Sequence, residues 1–496
     1  MSELVTPDWV RDAVFYQIYP DTFARSDRVR KPAHLLSWDS PPRHHGYKGG
    51  DLLGIVEHLD YLLDLGINAL YLCPIFQSAS NHRYHTFDYY RVDPMLGGES
   101  AFRELLDTAH ERGVRVVIDG VFNHASRGFF QFHDILENGL QSAYVDWFRI
   151  LDRDKPLNPY DPQARAAGKS KWDTNYDCWW GLPALPEFNT DTPEVRDFLW
   201  GVAAHWVEFG IDGWRLDVPE NIDDEAFWQT FRERVKDANP DAYLVGEIWD
   251  LAPEWLKGDR FDAVMNYVLN RAALCFFGGH LLDTEVTPGG YTLERIDART
   301  FADRVDEVFS AYAPEVTQVQ LNLLGSHDTP RILSILGNDR KSLKLCWLFL
   351  ATVPGAPCIY YGDEVGMTSA PVAGYEGRAT MSWDEAEWDT DLRDALKRYI
   401  AMRAAHPALR RGSFGTLYAG NEGSVFAYLR RHDEETIVVI LNNGYDAYEP
   451  HLPVEGELEE GTTLEDLLGD AQFHVRDGQI VGPPLSARSG TALRIT

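Results

Sequence analysis

Within Gly213-Trp214-Arg215-Leu216-Asp217, a guanidinium and a carboxylate stand two residues apart in an apolar run. Side chains of a strand alternate faces, so Arg215 and Asp217 share one face while Trp214 and Leu216 turn to the other for packing. A guanidinium at that range favours the ionised carboxylate and is expected to lower its pKa. An ionised, firmly held carboxylate is what nucleophilic attack on a glycosidic carbon needs. Taken alone, the pentapeptide reads equally as a structural Arg–Asp pair in a core.

Three more segments place acids or histidines directly after short apolar runs: Asp119-Gly-Val-Phe-Asn-His124, Gly246-Glu247-Ile-Trp249 and Gly325-Ser-His-Asp328. Together with Leu185-Pro-Glu-Phe-Asn189, and in this order, they resemble the catalytic regions of the α-amylase family of glycoside hydrolases. The resemblance runs from Phe15-Tyr-Gln-Ile-Tyr-Pro20 to Pro357-Cys-Ile-Tyr-Tyr-Gly-Asp-Glu364, nearly the whole chain. It implies Asp217 as nucleophile, Glu247 as general acid/base and Asp328 as the carboxylate that orients sugar hydroxyls near the transition state. By the same resemblance His124, Arg215 and His327 bind the sugar beside the scissile bond. Tyr84, in Asn81-His-Arg-Tyr84-His-Thr-Phe-Asp88-Tyr-Tyr90, stacks on that ring, Trp249 walls the site, and Asp88 is a structural hydrogen-bonder of the rim. A retaining mechanism needs nucleophile and acid roughly 5 Å apart. It also needs their pKa values split, so that Glu247 holds a proton and Asp217 does not. Arg215 is expected to supply one half of that split, and the apolar neighbours of Glu247, with other carboxylates near, the other.

Pro7-Asp-Trp-Val-Arg-Asp-Ala-Val-Phe-Tyr-Gln17, Trp214 and the stretch Pro354–Glu364 resemble the neopullulanase, cyclomaltodextrinase and maltogenic amylase branch. That implies hydrolysis of α-1,4 bonds in cyclodextrins, pullulan, starch or maltooligosaccharides, with transglycosylation. The same fold also carries α-glucosyl transferases and isomerases on sucrose, maltose or trehalose, α-1,6-glucosidases, and non-catalytic relatives that have lost their acids. No acid is lost here. Three departures from the branch stand out. Its usual N-terminal β-domain has no counterpart before Phe15, so the dimer and the substrate preference built on it do not carry over. The calcium loop after strand 1 has Arg25, Asp27, Arg30 and Lys31 at its ligand positions; with only Asp27 and Asp51 left as oxygen donors, calcium is not expected to bind. After Asp217 the chain reads Val218-Pro219-Glu220-Asn221, an altered acceptor side.

The elements that must carry these residues are legible from the pattern. Strand-like runs occur at Val14–Tyr19, Ala69–Cys73, Val114–Val121, Gly213–Val218, Tyr243–Ile248, Ala263–Tyr267, Gln320–Leu324 and Cys358–Tyr361. Helical apolar spacing lies between most of them, as in Leu52, Ile55, Leu59 and Leu62. Eight strands alternating with helices predict a closed (β/α)8 barrel, with active residues at the carboxyl ends of the strands. Residues 125–190, rich in Asp, Pro, Trp and Tyr and without periodicity, read as a small inserted domain after strand 3. The barrel then occupies 1–124 and 191–407, and short alternating runs over 408–496 predict an antiparallel β-sandwich.

Composition bounds the rest. The 46 Lys and Arg against 77 Asp and Glu give a formal charge of −31, which repels nucleic acid and anionic membranes. The 15 Trp and 23 Tyr favour a carbohydrate binder, since aromatic faces stack on sugar rings. No basic and apolar leader precedes the barrel, and no run reaches the ~20 apolar residues of a membrane span. Five cysteines, an odd number without CxxC spacing, read as buried free thiols in a cytoplasmic protein with no zinc. The partner expected is an α-glucan or maltooligosaccharide, and no cofactor is expected.

Overall fold

The computed structural model describes residues 4–155, 157, 174–420, 423–433 and 435–496. The strands before residue 361 are β1 (Phe15–Ile18), β2 (Ala69–Leu72), β3 (Phe76–Ser78), β4 (Thr86–Val92), β5 (Arg115–Gly120), β6 (Gly213–Leu216), β7 (Tyr243–Gly246), β8 (Ala263–Val264), β9 (Leu321–Leu323) and β10 (Ala356–Tyr360). Eight of them form one parallel sheet in the order β8-β7-β6-β5-β2-β1-β10-β9. A parallel bridge between Met265 and Leu321 joins its two ends, so the sheet closes into a barrel. β3 and β4 stand outside as an antiparallel hairpin that carries Tyr84 between its strands.

Strand alternation sorts the core into two layers. Phe15, Ala69, Tyr71, Val117, Tyr243, Val245 and Ala263 fill the barrel interior. Their neighbours Tyr16, Leu70, Val116, Trp214 and Leu244 face outward under the helices. Trp9, on the 3-10 turn Asp8–Asp12, closes the bottom by packing against Phe15 and Tyr243. The longer helices of the barrel include Leu52–Glu57 with Leu59–Leu65, Gly98–Glu111, Pro193–Phe209, Glu225–Ala238, Tyr267–Phe277, Ala298–Ser310, Arg340–Thr352 and Thr390–Ala405. Asp224 caps its helix by accepting from Phe227 N, as its position suggests. Thr192 does not cap; its hydroxyl donates to the Asp146 carbonyl instead.

The predicted strands overrun the observed ones by a residue or two, and one of them by more. The run Ala263–Tyr267 is a two-residue strand, after which Asn266 accepts from Leu269 N and starts the helix Tyr267–Phe277. That helix is apolar nearly all round, so it lacks the polar stripe that marks a surface helix.

Between β5 and the helix at Pro193, the chain forms the helix Phe130–Asn138 and short turns. Single bridges, Phe148 to Phe188, Ile150 to Tyr176 and Cys178 to Pro186, tie it together. Part of the expected inserted domain, residues 156 and 158–173, lies outside the described residues.

The C-terminal antiparallel unit comprises β11 (Ser413–Gly420), β12 (Val425–His432), β13 (Glu435–Asn442), β14 (His451–Pro453), β15 (Thr463–Asp466), β16 (Gln472–Arg476), β17 (Gln479–Val481) and β18 (Ser489–Ile495). They form one sheet in the order β11-β12-β13-β18-β15-β16-β17-β14 that folds over its own core. The opposite face of β12 and β13, with Phe426, Tyr428, Ile437, Val439 and Leu441, belongs to the core of the barrel helices. Buried Arg430 donates to the carbonyls of Leu409 and Gly412 at 2.9 Å and to that of Thr352.

Candidate active site

β5 and β6 are in register with Asp119 opposite Arg215. Both side chains point into the barrel and are 0% exposed. Arg215 Nη1 donates to both Asp119 oxygens at 2.8 and 2.9 Å and to Asp217 Oδ1 at 3.0 Å. Its Nη2 stands 2.9 Å from Glu247 Oε2, a Coulombic contact outside hydrogen-bond alignment. Asp217 and Glu247 are the residues immediately after β6 and β7, and each backbone N–H continues the ladder, to Gly120 O and Leu216 O. One guanidinium thus holds three carboxylates from three adjacent strands.

Val218 sits at φ +37°, a left-handed conformation that a β-branched residue before proline strongly disfavours. In that conformation its N–H donates to Glu247 Oε2 at 3.2 Å. Trp249 Nε1 donates to the other oxygen, also at 3.2 Å. The Trp249 ring lies flat on Tyr267 at 3.5 Å. Gly289 touches that ring, and a Cβ there would come within 2.1 Å of it.

Asp328 comes from the loop after β9 and keeps 32% side-chain exposure at the cleft, with protein on its other sides. His327 Nε2 is 3.0 Å from its Oδ2, and Arg378 Nη2 donates to its Oδ1 at 2.9 Å. Tyr84 Oη donates to Asp119 Oδ2 at 2.8 Å and lies 2.7 Å from His327 Nε2. Its ring stacks on His327 at 5.4 Å, 6° from parallel. His124 is buried, and its Nε2 meets no hydrogen-bond partner among the described residues. Through Asp119 and Arg215, seven of the eight residues singled out by motif are therefore linked at the carboxyl end of the barrel, and the eighth, His124, is buried with its ring on Trp179. Asp88 accepts from Tyr90 N, a local bond within the hairpin.

The electrostatics depart from expectation at Asp217. Burial pushes its carboxyl well up, and Arg215, which opposes, does not outweigh burial and the carboxylates of Glu247, Asp119 and Asp328. Burial also raises Glu247, with Arg215 again opposing. Burial would raise Asp328 too, but His327 and Arg378 hold it well below the usual range. Burial alone would lower His327, yet Asp328 lifts it to about 10. His124, with no such partner, falls to about 3 by burial. Gln17 Nε2 sits 2.9 Å from His327 Nδ1 while its Oε1 is buried without a partner. Turned over, that amide accepts from an imidazolium Nδ1–H.

With a single proton on the Asp217/Glu247 pair, three carboxylates face the three cations Arg215, His327 and Arg378. The buried cluster is then neutral, with one acid and one base side by side.

Sequence reasoning missed four contributors. Asp119 was visible as a charge in a buried strand, opposite another, and Gln17 as a polar residue in the apolar run Val14–Tyr19. Tyr71, which donates to Asp119 Oδ2 at 2.8 Å, looks like an ordinary core aromatic. Arg378 lies in an irregular stretch that offers no signal.

Where the family resemblance places a calcium loop, Lys31 Nζ lies 2.9 Å from Asp51 Oδ2 and donates to Met95 O at 2.6 Å. Arg25 Nε donates to Lys48 O at 2.7 Å, and Asp27 is exposed. A cation already sits on the one buried oxygen ligand, so these residues do not fit calcium.

Residues 17–411 match the family model for the α-amylase catalytic domain, and 414–486 that for the maltogenic amylase C-terminal domain. A cyclomaltodextrinase of Geobacillus thermopakistaniensis is 43% identical over 94% of this chain and 74% of its own length. Neopullulanase 2 of Thermoactinomyces vulgaris is 40% identical over 96% and 76%. The acarbose-soaked crystal structure of a Nostoc punctiforme debranching enzyme superposes with a TM-score of 0.86 at 45% identity, over 99% of this chain and 100% of that one. The chain belongs to the α-amylase family of glycoside hydrolases, in the branch of the cyclomaltodextrinases, neopullulanases and maltogenic amylases.

Proposed function

We propose that this protein hydrolyses α-1,4-glucosidic bonds of maltooligosaccharides, cyclodextrins, pullulan or starch with retention of configuration. The observation that carries the proposal is the single Arg215 guanidinium gripping Asp217 and Glu247 from adjacent strands. Carboxylates held on neighbouring nitrogens of one guanidinium suit the spacing of about 5 Å of a retaining pair better than the wider gap of an inverting one. Glu247 protonates the leaving oxygen while Asp217 attacks the anomeric carbon, and Glu247 then deprotonates the water that releases the sugar. Asp328 and the His327 imidazolium take hydroxyls of the distorted ring, His124 Nε2 another, and Tyr84 supports its face. Trp249 fixes Glu247 and walls the acceptor side. Calcium has no part, and buried free thiols at Cys73, Cys275, Cys346 and Cys358 support a cytoplasmic setting.

A second reading adds α-1,6 bonds, favoured by the end-to-end similarity to a debranching enzyme. The test is the ratio of initial rates on β-cyclodextrin, soluble starch and panose, with Asp217→Ala as blank. Reducing sugar from the first two supports the α-1,4 reading, and glucose plus maltose from panose the second. Full turnover by Asp217→Ala, or transfer without net hydrolysis, overturns the proposal.

A further inference from the structure

Trp180 is the most exposed large hydrophobic side chain among the described residues, at 79%. Its backbone adopts φ +54° and ψ +18°, a left-handed conformation that a bulky residue seldom takes. The turn that imposes it is tightly bonded. Trp179 N donates to Leu185 O, Gly181 N to Cys178 O, Leu182 N to Trp179 O and Leu185 N to Leu182 O, all within 3.0 Å. Neither burial nor backbone preference explains a tryptophan at this position, since alanine or glycine would cost the fold less.

The ring is not loose. It lies on Trp179 at 4.7 Å, 7° from parallel. Trp179 in turn stacks on His124 at 5.1 Å and 22°. Three flat rings therefore step outward from buried His124, in the loop that follows the Asp119 strand β5, to the free face of Trp180. That face is wide, apolar and electron-rich, and is held by a neighbour that is itself half-buried.

We propose that Trp180 is a sugar-stacking platform that receives a second glucosyl ring of an α-glucan, away from the bond being cut. A pyranose turns a C–H face to such a ring, and the aromatic quadrupole attracts it. The steps from His124 to Trp180 set the direction in which the chain leaves the cleft, and longer substrates gain a contact that short ones cannot reach. This rests on the hydrolase reading above and adds to it a residue that sets chain-length preference.

The experiment compares kcat/KM on maltohexaose and maltotriose for wild type, Trp180→Ala and Trp180→Phe, with maltohexaose affinity of each in an Asp217→Asn background measured by calorimetry. The expected result is a fall of about fivefold to tenfold in the hexaose-to-triose ratio for alanine, a matching loss of affinity, and recovery with phenylalanine. An unchanged ratio overturns the platform, as does an equal loss on both substrates, which would assign Trp180 to loop structure. Normal turnover by the Asp217→Asn enzyme overturns the hydrolase reading itself, and the platform with it.

Discussion

Replacing Arg215 by methionine removes one of the three cations from a cluster that balances at one proton. Arg215 stands 3.0 Å from Asp217 Oδ1 and 2.9 Å from Glu247 Oε2. At a charge separation of about 4 Å and an effective dielectric of about 20, each attraction is worth about 4 kcal/mol. Methionine keeps most of the bulk, so the cluster restores neutrality by binding a second proton, and Asp217 loses the charge it attacks with. A loss of about 4 kcal/mol corresponds to about a thousandfold in kcat/KM at pH 7. The pH sign is also set. Burial raises both carboxyls and Arg215 opposes, so without Arg215 both rise further and the acid limb of the rate profile moves to higher pH. A carboxyl raised in the folded state stabilises the fold fully below its unfolded pKa and loses that contribution as pH rises through the folded one. The melting temperature of Arg215→Met should therefore lie nearer to wild type at pH 5 than at pH 8. Rate profiles on β-cyclodextrin and thermal melts across that range are the assays. A wild-type acid limb with less than a tenfold loss would refute the charge inventory.

Three further outcomes are expected. Wild-type activity and melting temperature are unmoved by EDTA, whereas Lys31→Met, which leaves Asp51 buried without its cation, destabilises the fold by about 3 kcal/mol in urea or thermal unfolding. His327, lifted to about 10, contributes stability that is complete below its unfolded pKa near 6.5 and drains as pH rises toward 10; the advantage of wild type over His327→Gln in melting temperature should narrow from pH 6 to pH 9.5. Val218→Gly relieves a left-handed strain of about 1–3 kcal/mol but frees the N–H that holds Glu247. Its melting temperature should hold or rise while kcat falls, and a rise in both would show that the strain serves nothing.

How much was legible in the chain depends on whether a residue's role was local. The barrel strands were readable because two-faced burial leaves apolar runs such as Val114–Val121 and Gly213–Val218. Asp217 and Glu247 were placeable because each ends such a run. The helix Tyr267–Phe277 was not, because burial on all sides erases its periodicity. Arg378 was invisible for a different reason: its only distinction is where an irregular loop returns in space, fifty residues beyond Asp328. The direction of the Asp217 pKa shift runs against expectation because the sequence displays its nearest cation, Arg215, but not the burial and the three carboxylates that the barrel gathers around it.

The two-faced sheet at the C-terminus has a consequence for how the molecule comes apart. β12 and β13 give one set of side chains to their own core and the alternate set, Phe426, Tyr428, Ile437, Val439 and Leu441, to the barrel helices. Arg430 closes the seam by donating to the carbonyls of the buried residues Thr352, Leu409 and Gly412. A cut near residue 411 would strip an apolar wall and take Arg430 away from the buried carbonyl of Thr352. What reads in the chain as a catalytic unit with an appendage is, in energetic terms, a single cooperative body whose last strands are also the outer wall of its first.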